Sequence, residues 1–104
     1  MYRTTTPTLR YNFSGAAPDD FAVIVITISQ YGKTVIQKQK EDCMIDENVV
    51  TVDLSQEETK RLKEGRASTQ VKAVTSGGKA FVSKIIVFTV EGVLDDNIVE
   101  VSDE

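Results

Sequence analysis

Residues 52–68, VDLSQEETKRLKEGRAS, spell out a helix inside a chain whose other apolar runs alternate like strands. Ser55 followed by Glu58 is a capping box: the hydroxyl accepts from a backbone N–H of the first turn, and the glutamate reaches back to the N–H of the cap. Leu62 supplies one apolar contact, and Gly65 offers a stop where a left-handed backbone is cheap. A helix of about eight residues is too short to be stable alone in water, so it must be held by what it sits on. The runs on either side, VVTVDL and STQVKAV, read as strands. The helix is therefore expected to carry the chain from one sheet to another and to close an open end of the core with Leu62. A single apolar position gives it no adhesive stripe, which argues against a recognition helix.

Working outward, the period-two pattern recurs. Leu9, Tyr11 and Phe13 alternate with polar neighbours, the sign of a strand buried on one face. FAVIVITIS is a β-branched strand, apolar on both faces; QYGK turns it at Gly32, and TVIQKQ leads back. A short segment at residues 43–45 precedes the DEN turn. Val50, Val52 and Leu54 then share one side, and a turn at Gly77 and Gly78 joins STQVKAVTS to AFVSKIIVFTV. About seven strands with one short helix in a crossover point to an all-β, immunoglobulin-like β-sandwich over residues 1–94, followed by an acidic tail at 95–104. At 104 residues the chain can bury one two-layer core without metals or disulfides.

The chain has 12 basic and 16 acidic residues, and its last 14 residues hold six acids and no base. Lys60, Arg61, Lys63 and Arg66 form the nearest thing to a basic cluster, but Glu57, Glu58 and Glu64 interrupt it. A solvated face is expected there, and nucleic acid is not expected as a partner, because phosphate neutralisation needs clustered cations. The longest apolar run, residues 21–26, is too short to span a bilayer, so no membrane partner is expected. Residues 1–8 carry one arginine and no apolar stretch of signal-peptide length, consistent with a chain that stays where it is made.

Little in the sequence suggests catalysis. With no histidine, the commonest general base and nitrogen ligand are missing. Cys43 cannot form an internal disulfide, and beside Glu41 and Asp42 its thiol is expected to be a poor nucleophile. SGGK, residues 76–79, lacks the rest of a phosphate-binding loop and joins two strands, so it reads as a hairpin turn. The pairs Asp19–Asp20 and Asp95–Asp96 lack the ligand spacing of a calcium loop. No catalytic residue, metal or cofactor is expected.

Two strands are apolar on both faces. If Ala22, Ile24, Ile26 and Ile28 face the core, Phe21, Val23 and Val25 lie outside; if Ile86, Phe88 and Val90 face in, Ile85 and Val87 face out. A sandwich ordinarily wets its outer faces, so Val23, Val25, Ile85 and Val87 form a candidate interface. Either the tail covers this stripe through Val93, Leu94, Ile98, Val99 and Val101, or another protein or a second copy does.

Four passages, MYRTTTPTLRYNF, ISQYGKTVIQKQKEDC, VVTVDLSQEETKRLKEG and VKAVTSGGKAFVSKIIVFTVEGVL, carry a resemblance. Together they resemble small proteins encoded among the tail and baseplate genes of phages and prophages of Gram-positive bacteria. They are similar to the immunoglobulin-like N-terminal domain of upper baseplate proteins. The resemblance covers residues 1–94. It implies a non-enzymatic assembly module whose partners are other phage structural proteins or itself, found in the bacterial cytoplasm during assembly and then in the virion. The alternative from a different class is a cellular β-sandwich domain that binds a peptide or a sugar. With no tryptophan and three tyrosines, it has few aromatics for a sugar platform.

Overall fold

A computed structural model describes residues 1–13, 21–46 and 48–99. Among these residues eight strands form two antiparallel sheets: β1 (Thr8–Asn12), β2 (Phe21–Gln30), β3 (Lys33–Gln39), β4 (Cys43–Asp46), β5 (Val49–Asp53), β6 (Gly65–Thr75), β7 (Ala80–Val82) and β8 (Ile86–Val90). A 3-10 turn, Lys40–Asp42, precedes β4, and the helix α1, Gln56–Lys60, precedes β6. One sheet runs β1-β5-β4. The other runs β3-β2-β6, with β7 and β8 both on the far edge of β6.

The core lies between the sheets. Ile24, Ile26 and Ile28 of β2 are fully buried, and Val50, Val52 and Leu54 of the facing layer are buried with them, as their alternation requires. Tyr11 is buried too. Its hydroxyl is hydrogen-bonded to that of Thr69 on the opposite sheet at 2.8 Å, which satisfies both groups where water does not reach. The β2–β3 turn has two residues, Tyr31 and Gly32, both with positive φ (52° and 76°). That combination matches strand twist in tight hairpins, and glycine makes it cheap at the second position.

The crossover forms as its sequence predicts at the start and differs at the end. The Ser55 hydroxyl accepts from the Glu58 N–H at 3.1 Å, and the Glu58 carboxylate accepts from the Ser55 N–H at 2.9 Å. The helix then stops after five residues, and Gly65 (φ 125°) opens β6 instead of capping α1. The reason lies far away in sequence. The Arg3 guanidinium donates to the Lys60 and Leu62 carbonyls at 2.9 and 2.6 Å, satisfying the helix end directly. Leu62 is fully buried below it, as expected.

Besides a bulge at Val35 in the β2–β3 pairing, two irregularities set which residues of the larger sheet face inward. Phe21 pairs with Thr75 and Val23 with Val74, so Ala22 is one extra residue on β2. The bulge turns Phe21 into the core (1% exposed) and leaves Ala22 outside, the reverse of the alternation expected from sequence. The run expected as one last strand is likewise broken. Lys72 pairs with Val82 and Thr69 with Ile86, so residues 83–85 lie opposite only Gln70 and Val71. Ser83 fills the gap: its backbone N–H donates to the Val71 carbonyl (2.8 Å), and its hydroxyl accepts from the Val71 N–H (2.9 Å).

Lys38 of β3 and Glu58 of α1 form a largely shielded ion pair at 2.7 Å. Burial pushes the Glu58 carboxyl up, but the bonds from Lys38 and from the Ser55 N–H outweigh it and hold the group below the ordinary glutamate range. A depressed carboxyl pKa adds stability above the unfolded value, about pH 4.3, and loses it as pH falls through the folded value. Glu58→Gln keeps a capping side chain while removing the charge. It is expected to cost about 1 kcal/mol at pH 7 by chemical denaturation. The gap to the parent should close as the pH drops below about 4.

Candidate functional site: the outer face of the larger sheet

Pairing across β2, β6 and β7 assembles the exposed surface in rows. Val23 lies opposite Val74, which lies opposite Ala80; Val25 lies opposite Lys72, which lies opposite Val82. Residues directly paired share a face, and Ile24 and Ala73 beside them are buried, so both rows point away from the core. Val23 is 48% exposed and Val82 63%, while Val25 and Val74 are half-buried by their neighbours. Adjacent side chains in such rows stand about 5 Å apart, close enough to act as one surface.

The four residues singled out from sequence divide. Val23 and Val25 sit together in these rows. Val87 also faces outward, opposite Ser68, but four positions along β6 from Lys72, about 13 Å away. Ile85 belongs to the bulge that precedes β8, and is 63% exposed. Val74 and Val82 complete the surface and were missed. The signal for Val74 was its alternation with Ala73, whereas the inserted residue between β7 and β8 hid the facing of Val82.

The described part of the tail does not lie over this face. Asp96 accepts from Arg3 at 2.6 Å, and the Gln56 carboxamide both donates to the Val99 carbonyl (2.6 Å) and accepts from its N–H (2.9 Å). The tail through residue 99 thus runs beside α1, with Leu94 fully exposed. An open cleft there is lined by Thr4, Thr5, Thr6, Gln56, Asp95 and Asn97, with no aromatic ring to stack on a sugar. Residues 100–104 and the pair Asp19–Asp20 lie outside the described residues.

Among the described residues no group of three His, Cys, Asp or Glu side chains is placed to hold a metal ion, and no helix is long and apolar enough to cross a membrane. SGGK is a hairpin turn: the Thr75 N–H donates to the Lys79 carbonyl, the Lys79 N–H donates to the Thr75 hydroxyl, and Gly78 has φ 86°. Cys43 opens β4, half-buried, with its thiol donating to the Gln39 carbonyl at 3.3 Å. Burial, and then the charges of Asp42 and Glu41, push the thiol up against the opposing pull of Lys38.

These sheets and their helical crossover define an immunoglobulin-like β-sandwich. No protein-family model matches the chain, nor does any curated protein. Among solved structures, the chain is similar to CopC from Methylosinus trichosporium OB3b, at 18% identity over 90% of this chain and 85% of that one, with a TM-score of 0.54. It is also matched to the V domain of amphioxus IgVJ-C2, at 12% identity over 89% and 97% of the two chains, with a TM-score of 0.39. The likeness to CopC is one of fold.

Cys43 is expected to react slowly with iodoacetamide at pH 7, with a rate that climbs through a midpoint above the ordinary cysteine value of about 8.5. Alkylation followed by mass spectrometry across pH checks this; a midpoint at or below that value contradicts the burial argument.

Proposed function

We propose that the chain is a non-enzymatic structural module that works through protein–protein contacts, with the outer valine face as its contact surface. The observation that carries this reading is the two rows Val23–Val74–Ala80 and Val25–Lys72–Val82, a sheet face of valines around one exposed lysine on which Val23 and Val82 stay exposed. Each ~100 Å² of apolar area withdrawn from water there contributes about 2.5 kcal/mol before ordering costs, so a modest contact suffices to bias association. The sequence resemblance supports a phage or prophage tail or baseplate as the setting, with assembly in the bacterial cytoplasm and with other tail proteins or further copies as partners. The solved structures it is similar to name no phage protein.

Sedimentation of the parent chain, of Val23→Lys and of Val82→Lys tests the surface. Both substitutions stand at exposed positions and are expected to change stability by no more than about 0.5 kcal/mol. They should abolish the concentration-dependent association of the parent, or its association with the product of a flanking gene. Equal association by folded parent and variants rejects the face as the contact. The genes flanking the coding sequence test the setting, and a neighbourhood without tail or baseplate genes rejects it.

A further inference from the structure

Among the described residues, the free edges of β8 and of the three-residue β7 differ in character from those of β1, β3 and β4. At the C-terminal end of β8 the outward backbone groups already bond to the first residues: the Met1 ammonium donates to the Thr89 carbonyl (2.9 Å), and Glu91, just past the strand, donates its N–H to the Met1 carbonyl (2.7 Å) and accepts from the Arg3 N–H (2.9 Å). Outward and inward groups alternate along an antiparallel strand, so the N–H and C=O of Val87 also point out. Among the described residues nothing pairs with them. The side chains around them are bare: Ile85 is 63%, Ile86 49% and Val87 57% exposed.

Unpaired edges are ordinarily guarded by charge or proline. The β3 edge carries Lys33 and Lys38, β4 is flanked by Glu41 and Asp42 and ends in Asp46, and β1 carries Arg10. The five residues of β8 include no charge and no proline, and neither do the three of β7, but β8 is the longer of the two. The stretch of chain that forms β6 to β8 is also one-signed, with Glu91 the first acid beyond it. From residue 65 to 90 the chain holds Arg66, Lys72, Lys79 and Lys84 and not one acid, although the whole chain is −4. None of these four cations takes part in an ion pair among the described residues.

We infer that the β8 edge accepts an extended strand from another protein, rich in β-branched residues and carboxylates. The partner's backbone bonds to Val87, its apolar side chains cover Ile85, Ile86 and Val87, and its carboxylates meet Lys84, two residues before β8, and Arg66, which pairs with Thr89. A second copy pairing β8 to β8 would bring Lys84 against a like-charged surface, which disfavours that occupant. A nucleic acid would leave the aliphatic side chains uncovered. This edge is separate from the valine rows, so the proposal does not depend on them.

The test uses the full chain and a short labelled peptide alternating valine with glutamate, followed by fluorescence anisotropy, with a valine–lysine peptide as the counterpart. The glutamate peptide is expected to bind saturably and at least ~10-fold more tightly than the lysine peptide, weakening as salt rises. Val87→Pro removes the outward donor while leaving the β6 ladder, which runs through Ile86 and Phe88, in place. It should lower affinity about 10-fold with an unchanged circular dichroism spectrum. Lys84→Glu, an exposed change that does not threaten folding, should lower it several-fold. Equal affinity for the two peptides, absence of binding, or binding unchanged in both variants overturns the proposal. So does a dimer of the unliganded chain that Val87→Pro dissolves, which would make the occupant a second copy.

Discussion

The row Ile24, Ile26 and Ile28 on β2 is the feature on which the rest of the domain depends. All three are fully buried, and they belong to both halves of the core: Ile24 and Ile26 pack with Val50, Val52 and Val71, and Ile28 packs with Leu54, Leu62 and Val90. Because side chains alternate, a slip of one residue in β2 would expose the whole row and bury Val25 and Thr27 instead. The surrounding features hold that parity. The Tyr31–Gly32 turn sets the first pairs with β3, a bulge at Val35 then shifts that register before Ile28 meets Ile36, and β2 pairs with β6 along most of its length. Every surface discussed above, valine rows and β8 edge alike, takes its orientation from this row.

A second constraint governs the connections. Chain that leaves a sheet gives up its ladder, and its polar backbone groups must find partners elsewhere. Three side chains answer this by imitating a strand, each both donating to and accepting from the backbone of a distant segment. Gln30 does so at Lys63, donating at 2.7 Å and accepting at 2.8 Å. Thr59 does so at Thr5, and Gln56 at Val99. Gln30 and Thr59 are buried although polar, and these bonds are why that burial is tolerated. Together they fasten the crossover, the first residues and the tail into one end of the sandwich.

What the sequence reveals follows from whether a signal is local. The capping box needs only Ser55 and Glu58, the hairpin only Tyr31 and Gly32, and the alternation of Val50, Val52 and Leu54 is complete within five residues; all are legible. The end of α1 is not, because Arg3 supplies its cap from the other end of the chain. The bulges at Ala22 and at residues 83–85 are hidden for another reason. An inserted residue changes neither composition nor local apolarity, yet it inverts the facing of everything beyond it, which is how Phe21 came to the core and Val82 to the surface. Of the candidate site, Val23, Val25 and Val87 were legible as outward positions, while their grouping with Val74 and Val82 required the strand order.

The strand order also bears on how the chain reaches this state. Its β2–β3, β4–β5 and β6–β7 pairings join neighbours in sequence, so each can close as a hairpin in microseconds. The pairings that make a sandwich do not: β1 meets β5, and Ile26 of β2 meets Val71 of β6, each with three strands of sequence between the partners. Closing such loops costs chain entropy before the isoleucine row is covered, which places the domain among slow, milliseconds-to-seconds folders. The segment that forms β6, β7 and β8 carries four cations and no acid, so before the sandwich closes the same segments of two unfolded chains repel one another.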